Sequence, residues 1–467
     1  MKKKTRTKFV RYLGKQMKEN ATALQIYSRD MSELPSLTKL LFNSTPDGII
    51  LPKNVEDLQR IYNLANETRT PIIPRSGGTS GFGGSIPYNK GLVIDCKGIT
   101  SDILIEPIDQ TVTTSPSIIF SELQNKLKLQ GFSLCSYPSS FYSATIGGWI
   151  AHGGHGIGSL QYSSVVDQIT EMQVVLPNGQ VEIYTEKDDI SLFFGSNGTL
   201  GIITEIKLKI KFDIPIKQFG CIFDSPYELM KGLKELQQVN PFSVWFLNPS
   251  QVSAFNDTFG YNLPRSFVVI VSKEISFEEE ELEFSNNFNN TIRKAGGQIL
   301  DKRYFKDIWN FRFKTFAMLK EFPYFLVSEV ILPIETSVKY LRKLTNLFEG
   351  KLRAEGELIS GTHYSLLLYL PIEEVIGDFK KSLLILNLNK HVLKSKKIGG
   401  FPYSTGLWFA GYYSQIYGKE QFKRYKEFKK KIDPKNISNP GKVCSPKLRI
   451  FPLFSLKFVI RVASEFS

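Results

Sequence analysis

The chain has 467 residues, 42% hydrophobic and 22% charged, which fits a folded chain of about two to four domains and excludes a stapled mini-protein, a disordered chain or a polytopic membrane protein. Lys plus Arg outnumber Asp plus Glu by 59 to 45, a formal charge of +14 that suits a carboxylate or phosphate substrate, an anionic cofactor, a lipid surface or nucleic acid. Cys96, Cys135, Cys221 and Cys444 lie far apart with no C-x-x-C pair, so no disulfide framework, Cys-ligated zinc site or iron–sulfur cluster is readable, and a reducing interior is expected.

The basic start, Met1 to Lys18, lacks the apolar run of a secretory signal, and no window reaches the roughly 18 to 20 apolar residues of a spanning helix. A cytoplasmic chain is expected, with contact at the inner face of a membrane left open. From Asn54, a cap residue, the spacing of Val55, Leu58, Ile61, Tyr62 and Ala65 predicts a helix. Pro71 to Pro74 then reads as a short extended segment entering Arg75-Ser76-Gly77-Gly78-Thr79-Ser80-Gly81-Phe82-Gly83-Gly84, with five glycines in eight residues.

Leu92 to Asp95 and Thr111 to Thr114 read as strands, and Ile118 to Gln130 as a helix with Ser117 before it and Gly131 as its stop. A second glycine-rich stretch runs from Ala144-Thr145-Ile146-Gly147-Gly148 through His152-Gly153-Gly154-His155-Gly156-Ile157-Gly158. Ile169 to Leu176 and Val181 to Tyr184 form a hairpin at Pro177-Asn178-Gly179, and Ile206, Leu208 and Ile210 alternate with Lys207, Lys209 and Lys211 as a half-buried strand does. Composition shifts near Pro215 to longer helices and aromatic-rich strands, including Val244 to Phe246, Phe267 to Val271 and Ser365 to Leu370.

A run of small residues after an apolar strand lets successive backbone N–H groups approach one anion, so the first loop is suited to phosphate. No Gly-Lys-Ser/Thr closes it, and neither loop has G-x-G-x-x-G spacing, which argues against ATP and NAD. A single such loop also reads as an ordinary turn; two of them bracketed by strands carry more weight.

Pro74 to Ser80, Ala144 to Gly148 and Gly198-Thr199-Leu200-Gly201-Ile202-Ile203 resemble, in order and spacing, the three FAD-contacting segments of the vanillyl-alcohol oxidase/PCMH flavoprotein family. The second half is similar to the D-lactate dehydrogenase and glycolate oxidase branch, through Asp433-Pro434 and Asn439-Pro440-Gly441-Lys442, so the resemblance covers roughly residues 45 to 443. It implies an α/β (α+β) architecture: an N-terminal helical extension (1–44), a two-subdomain PCMH-type FAD-binding domain (45–215), a mixed α/β substrate or cap domain (216–420), a C-terminal segment returning to the FAD domain (421–447), and a basic apolar tail (448–467).

Carried over residue by residue, the resemblance implies that Arg75, Ser76, Gly77, Gly78, Thr79 and Ser80 wrap the pyrophosphate. Pro138, Thr145, Gly148, Gly154 and Gly156 would line the dinucleotide, and Ile203 would meet the adenine end. Covalent members often carry His where this chain has Thr79, so non-covalent FAD is implied. His155 is either a flavin contact or a plain loop histidine. Trp309-Asn310-Phe311-Arg312 resembles the W-x-x-R whose arginine grips a substrate carboxylate, a task suited to its planar fork, although a surface arginine is the alternative. His363 stands where the G-D-G-N-x-H motif ends and would take the hydroxyl proton, unless it is only a satisfied strand histidine.

The rest of that motif reads Leu358-Ile359-Ser360-Gly361, and the family's Glu-His-Gly reads Ser404-Thr405-Gly406, so metal ligands are missing and no metal is expected. Glu355 and Glu357 are candidate partners of His363. The expected reaction is oxidation of a 2-hydroxy acid of the D-lactate or glycolate type by hydride transfer to flavin N5, since no side chain accepts a hydride. Electrons would leave to an Fe–S or quinone acceptor on a partner. The alternatives are a sugar or aldonolactone oxidase of the same superfamily and a non-catalytic FAD-binding subunit of a membrane redox complex. Phe422, Tyr425, Phe428 and Ile432 predict a helix with a solvated basic face, and the alternating tail around Phe454 to Val462 reads as an added strand or a membrane contact. Nucleic acid has no recognisable binding fold here.

Overall fold

The computed structural model describes residues 3–32, 34, 43–88, 90–314, 324–372 and 376–444. The tail expected as an added strand lies outside the described residues. Near the N-terminus β1 (Met17–Lys18), β2 (Gly48–Ile50), β3 (Ile72–Arg75) and β4 (Leu92–Asp95) form a sheet of order β1-β2-β4-β3, with β2 and β3 parallel to β4. The helix Val55–Thr68 makes the crossover. The Asn54 side chain accepts the Asp57 N–H at 2.9 Å, and Leu58, Ile61, Tyr62 and Ala65 are buried against Ile72 and Ile94, as their spacing requires. The crossover aims β3 so that the first glycine loop leaves its C-terminal end.

The second sheet contains β5 (Leu104–Glu106), β6 (Thr111–Thr114), β7 (Phe132–Leu134), β8 (Ile169–Val175), β9 (Val181–Thr185) and β10 (Ile202–Phe212), in the order β5-β6-β10-β8-β9 with β7 also paired to β10. Gly179 takes φ +86° in the β8–β9 turn, a conformation open to glycine. Two local expectations change. The helix expected from Ile118 starts at Phe120 with no side-chain cap, because the Ser115 and Ser117 hydroxyls both bond the Ile99 carbonyl and Ile119 pairs in a bridge with Thr145. Lys211, expected on a solvent face, is buried and ion-paired with Glu274 of the next domain.

The third sheet is antiparallel: β11 (Ile216–Phe223), β12 (Ser243–Leu247), β13 (Phe267–Glu274), β14 (Gln298–Ile299), β15 (Tyr324–Pro333), β16 (Arg353–Leu358), β17 (His363–Ile372) and β18 (Phe401–Pro402), in the order β14-β11-β13-β12-β16-β17-β15-β18. Helices such as Pro226–Leu236 and Glu278–Ala295 cover one face through a core that includes Phe223, Leu233, Phe246 and Phe288. The opposite face of its central strands looks toward the N-terminal half. By Leu407, whose N–H bonds the Phe82 carbonyl at 2.7 Å, the chain is already back against that half, earlier than the boundary expected at 421. Helix Lys419–Ile432 buries Tyr425 and Ile432 in the second-sheet core. Lys429 departs from the solvated basic face: it pairs with Asp433 and donates to the Thr199 carbonyl at 2.7 Å.

Candidate active site

A cavity of about 400 Å³ lies where the two glycine loops meet the third sheet. Its N-terminal wall is mostly backbone. Gly78 has φ +65°, and a Cβ there would sit 2.5 Å from the Arg75 guanidinium; a Cβ on Gly77 would lie 2.6 Å from the Ser143 carbonyl oxygen. The loop therefore has no room for a side chain at its closest approach to Ser143, and at Gly78 the positive φ itself disfavours one. Thr145 ties the two loops together: its hydroxyl donates to Ser76 Oγ at 2.9 Å and accepts the Gly148 N–H at 3.3 Å, capping helix Ile146–His152. A Cβ on Gly198 of the third segment would lie 2.9 Å from Pro74. Three separate segments thus close on one another through missing side chains. A cradle of this kind, rich in backbone N–H groups, fits a dinucleotide pyrophosphate.

The opposite wall is built from side chains on alternate positions of β12, β16, β17 and β15. Across the sheet, Trp245, Glu357, Ser365 and Ile331 form one row, and Glu355, Leu367 and Glu329 the next. Glu355 and Glu357 are only 4% and 5% exposed, whereas Glu329 opens more onto the cavity. The Tyr369 hydroxyl donates to Glu355. Arg312, 3% exposed, pairs with Glu357 and lies 5.2 and 5.3 Å from the ring centroids of Trp245 and Trp309. Burial raises the Glu357 carboxyl to about 7 against the pull of Arg312. Burial, and then the Glu355 charge, raise Glu329 to about 8, with a bond from Ser365 opposing. Two carboxyl groups of this wall, Glu329 and Glu357, are thus held above the ordinary carboxylate range by burial.

Arg75, Ser76, Gly77, Gly78, Thr79, Ser80, Pro138, Thr145, Gly148, Gly156, Ile203 and Arg312 all border this cavity. Two expected residues do not. Gly154 turns toward Val165, where a Cβ would come within 2.3 Å of its Cγ1, so its smallness serves helix and loop packing. His363 begins β17 opposite Pro333 and lies in a neighbouring cavity of about 230 Å³ beside Phe401, with Nδ1 bonded to Thr362 Oγ1 at 2.8 Å. Glu355 and Glu357 therefore face Arg312's side of the molecule and do not partner His363.

His152 and His155 also border the main cavity. Burial pushes both down to about 4, and His152 Nδ1 lies 3.1 Å from Ser404 Oγ. Sequence reasoning gave Glu329 no role. The one signal for it was a lone acid in the apolar run Leu326-Val327-Ser328-Glu329-Val330-Ile331-Leu332. Among the described residues, no group of three or more His, Cys, Asp and Glu side chains could hold a metal ion.

Residues 46–184 match the FAD binding domain family, and residues 405–443 match the C-terminal domain of FAD linked oxidases. The chain is 25% identical over 434 residues to the glycolate oxidase subunit GlcD of Bacillus subtilis, covering 87% of this chain and 91% of that protein. It is 24% identical to the mitochondrial D-lactate dehydrogenase [cytochrome] of Arabidopsis thaliana, covering 86% and 74% respectively. The structure of p-cresol methylhydroxylase with substrate bound superposes with a TM-score of 0.77 at 17% identity, over 94% of this chain and 96% of that one, which establishes the fold. With its cradle of glycine loops and its PCMH-type fold, the chain carries an FAD binding domain and the C-terminal domain of FAD linked oxidases, and it is an FAD-dependent oxidoreductase.

Proposed function

We propose that the protein oxidises the CH–OH carbon of a small 2-hydroxy acid, of the glycolate or D-lactate type, using non-covalently held FAD. The observation that carries this reading is the single cavity that joins the glycine cradle to a wall containing Arg312. Bound flavin supplies the hydride acceptor that no amino-acid side chain provides. Arg75 to Ser80 and Thr145 to Gly148 would hold its pyrophosphate, and Thr79 offers no imidazole for a covalent link. Arg312 would orient the substrate carboxylate, its own geometry fixed by Glu357 and the two indole rings. Electrons would pass on to an Fe–S or quinone acceptor on a partner. No helix among the described residues is long and apolar enough to cross a membrane.

A second reading has its own support: a wall with three carboxyl groups and one arginine suits the hydroxyls of a neutral, sugar-like substrate better than a further anion. Turnover with an artificial electron-accepting dye separates the two. Dye reduction with glycolate or one enantiomer of lactate is the expected result; reduction with polyols or aldonolactones alone would replace the first reading by the second, and inactivity with both classes would overturn them together.

A further inference from the structure

The strand that carries Glu329 has little structural use for it. In β15, Leu326, Val330 and Leu332 are buried, and Ser328 on their face bonds Asn389 of helix Asp378–Lys394 at 2.8 Å. Alternation puts Glu329 on the other face with Val327, among cavity residues, where an acid must be desolvated without stabilising the core. We propose that Glu329 is the group that takes the hydroxyl proton as the substrate's CH–OH carbon is oxidised. The proposal rests on the reading above and supplies the residue it lacks, since His363 lies in a different cavity.

Three observations single Glu329 out. Glu355 is engaged by Tyr369 and Glu357 by Arg312, and both are almost fully covered, whereas Glu329 opens onto the cavity. Its strand lies against the first glycine loop, because a Cβ on Gly81 would come within 3.4 Å of Val327, two residues away on the same face. The remaining bases on that cavity are poor: His152 and His155 border it from the N-terminal half, and burial holds both down to about 4. The titratable groups around Glu329 are Glu355 across Leu367, Tyr403 following β18 and, one row on, Glu357 with Arg312. Burial and the Glu355 charge raise Glu329 to about 8, which matches proton transfer near neutral pH.

In the step itself the substrate O–H bond breaks and its proton goes to a Glu329 oxygen. The pair left behind forms the carbonyl as the C–H pair departs as hydride to the acceptor named above, and the Glu329 proton is later released to solvent. The substrate is oxidised by two electrons and the carboxylate ends the step as a neutral acid.

The test is anaerobic rapid mixing of the FAD-loaded full chain with glycolate and D-lactate across pH 6 to 10. The wild-type rate should rise with pH and level off above about 8. Glu329→Gln should slow it by about 100-fold or more and remove the rising limb, while Glu329→Asp keeps part of the rate and the limb. A second readout is calorimetry of oxamate binding in two buffers of different ionisation enthalpy: the wild type should exchange a fraction of a proton that Glu329→Gln does not. A folded Glu329→Gln variant with the wild-type rate, limb and proton exchange overturns the proposal alone. A wild type inert to every hydroxy compound overturns the function reading, and this proposal with it.

Discussion

The two walls of the cavity are made of opposite materials. The N-terminal side is built from close-packed backbone, with Gly77, Gly78, Gly148 and Gly198 standing where a Cβ would collide with neighbouring protein atoms. The C-terminal side is built from ionisable side chains, with Arg312, Glu329, Glu355 and Glu357 standing on or against a sheet. A backbone wall offers the same main-chain N–H groups whatever the side chains around it. A side-chain wall changes with single substitutions, and on the function proposed above it would carry the choice of substrate and the proton chemistry.

That contrast can be broken from either side. The largest expected effect is on the charged wall: Arg312→Ala leaves Glu357 buried without its cation and should destabilise the chain by about 3 kcal/mol at pH 8, much less at pH 5 where Glu357 is protonated. Denaturant unfolding at the two pH values checks this, and equal losses at both would show that the pair is not electrostatic in origin. On the backbone wall, Gly78→Val forces a β-branched residue to φ +65° and into Arg75, a strain of about 2 kcal/mol that should weaken FAD binding at least tenfold. Fluorescence titration of FAD reads it, and unaltered affinity would remove the first loop from the cradle.

Thr145→Ala removes both a helix cap and the tie to Ser76, and should lower stability by about 1 kcal/mol, with Thr145→Ser retaining most of it. Glu329→Gln is expected to change the pH dependence of stability instead. Because the native carboxyl is raised to about 8 while the unfolded one titrates near its ordinary value of about 4.3, the native state holds the extra proton between these limits, and wild-type stability falls as pH rises through that window. Melting curves of the Gln variant should therefore gain on the wild type from pH 5 to pH 8; parallel curves would place Glu329 in an ordinary solvated setting. His363→Ala should change turnover least of all, its ring being outside the main cavity.

The same contrast explains what the sequence disclosed. Glycine clusters are visible because no other residue serves where a Cβ collides, and the Asn54 cap and the Pro177-Asn178-Gly179 turn are local signals that need no tertiary context. Glu355 and Glu357, alternating with Ala354 and Gly356, look like the wet side of a strand, since alternation cannot tell bulk water from a cavity. Lys211 misled in the same way, its solvent being replaced by Glu274 from another domain. His363 was aligned by a motif whose other members are absent, and its position at the start of β17 sends the ring past the sheet edge toward Phe401. Arg312 was legible only through the spacing from Trp309, while its Trp245 and Glu357 neighbours come from distant strands.

The central claim, that one cavity brings a flavin held by backbone together with a hydroxyl-bearing substrate held by side chains, is tested most directly by anaerobic titration of the FAD-loaded protein with glycolate, D-lactate and L-lactate, followed by its visible spectrum. The account predicts complete bleaching of the yellow band by at least one of these acids, with one equivalent of oxidised product per flavin. A protein that binds FAD tightly yet stays yellow with all three, and with polyols and aldonolactones as well, would contradict it.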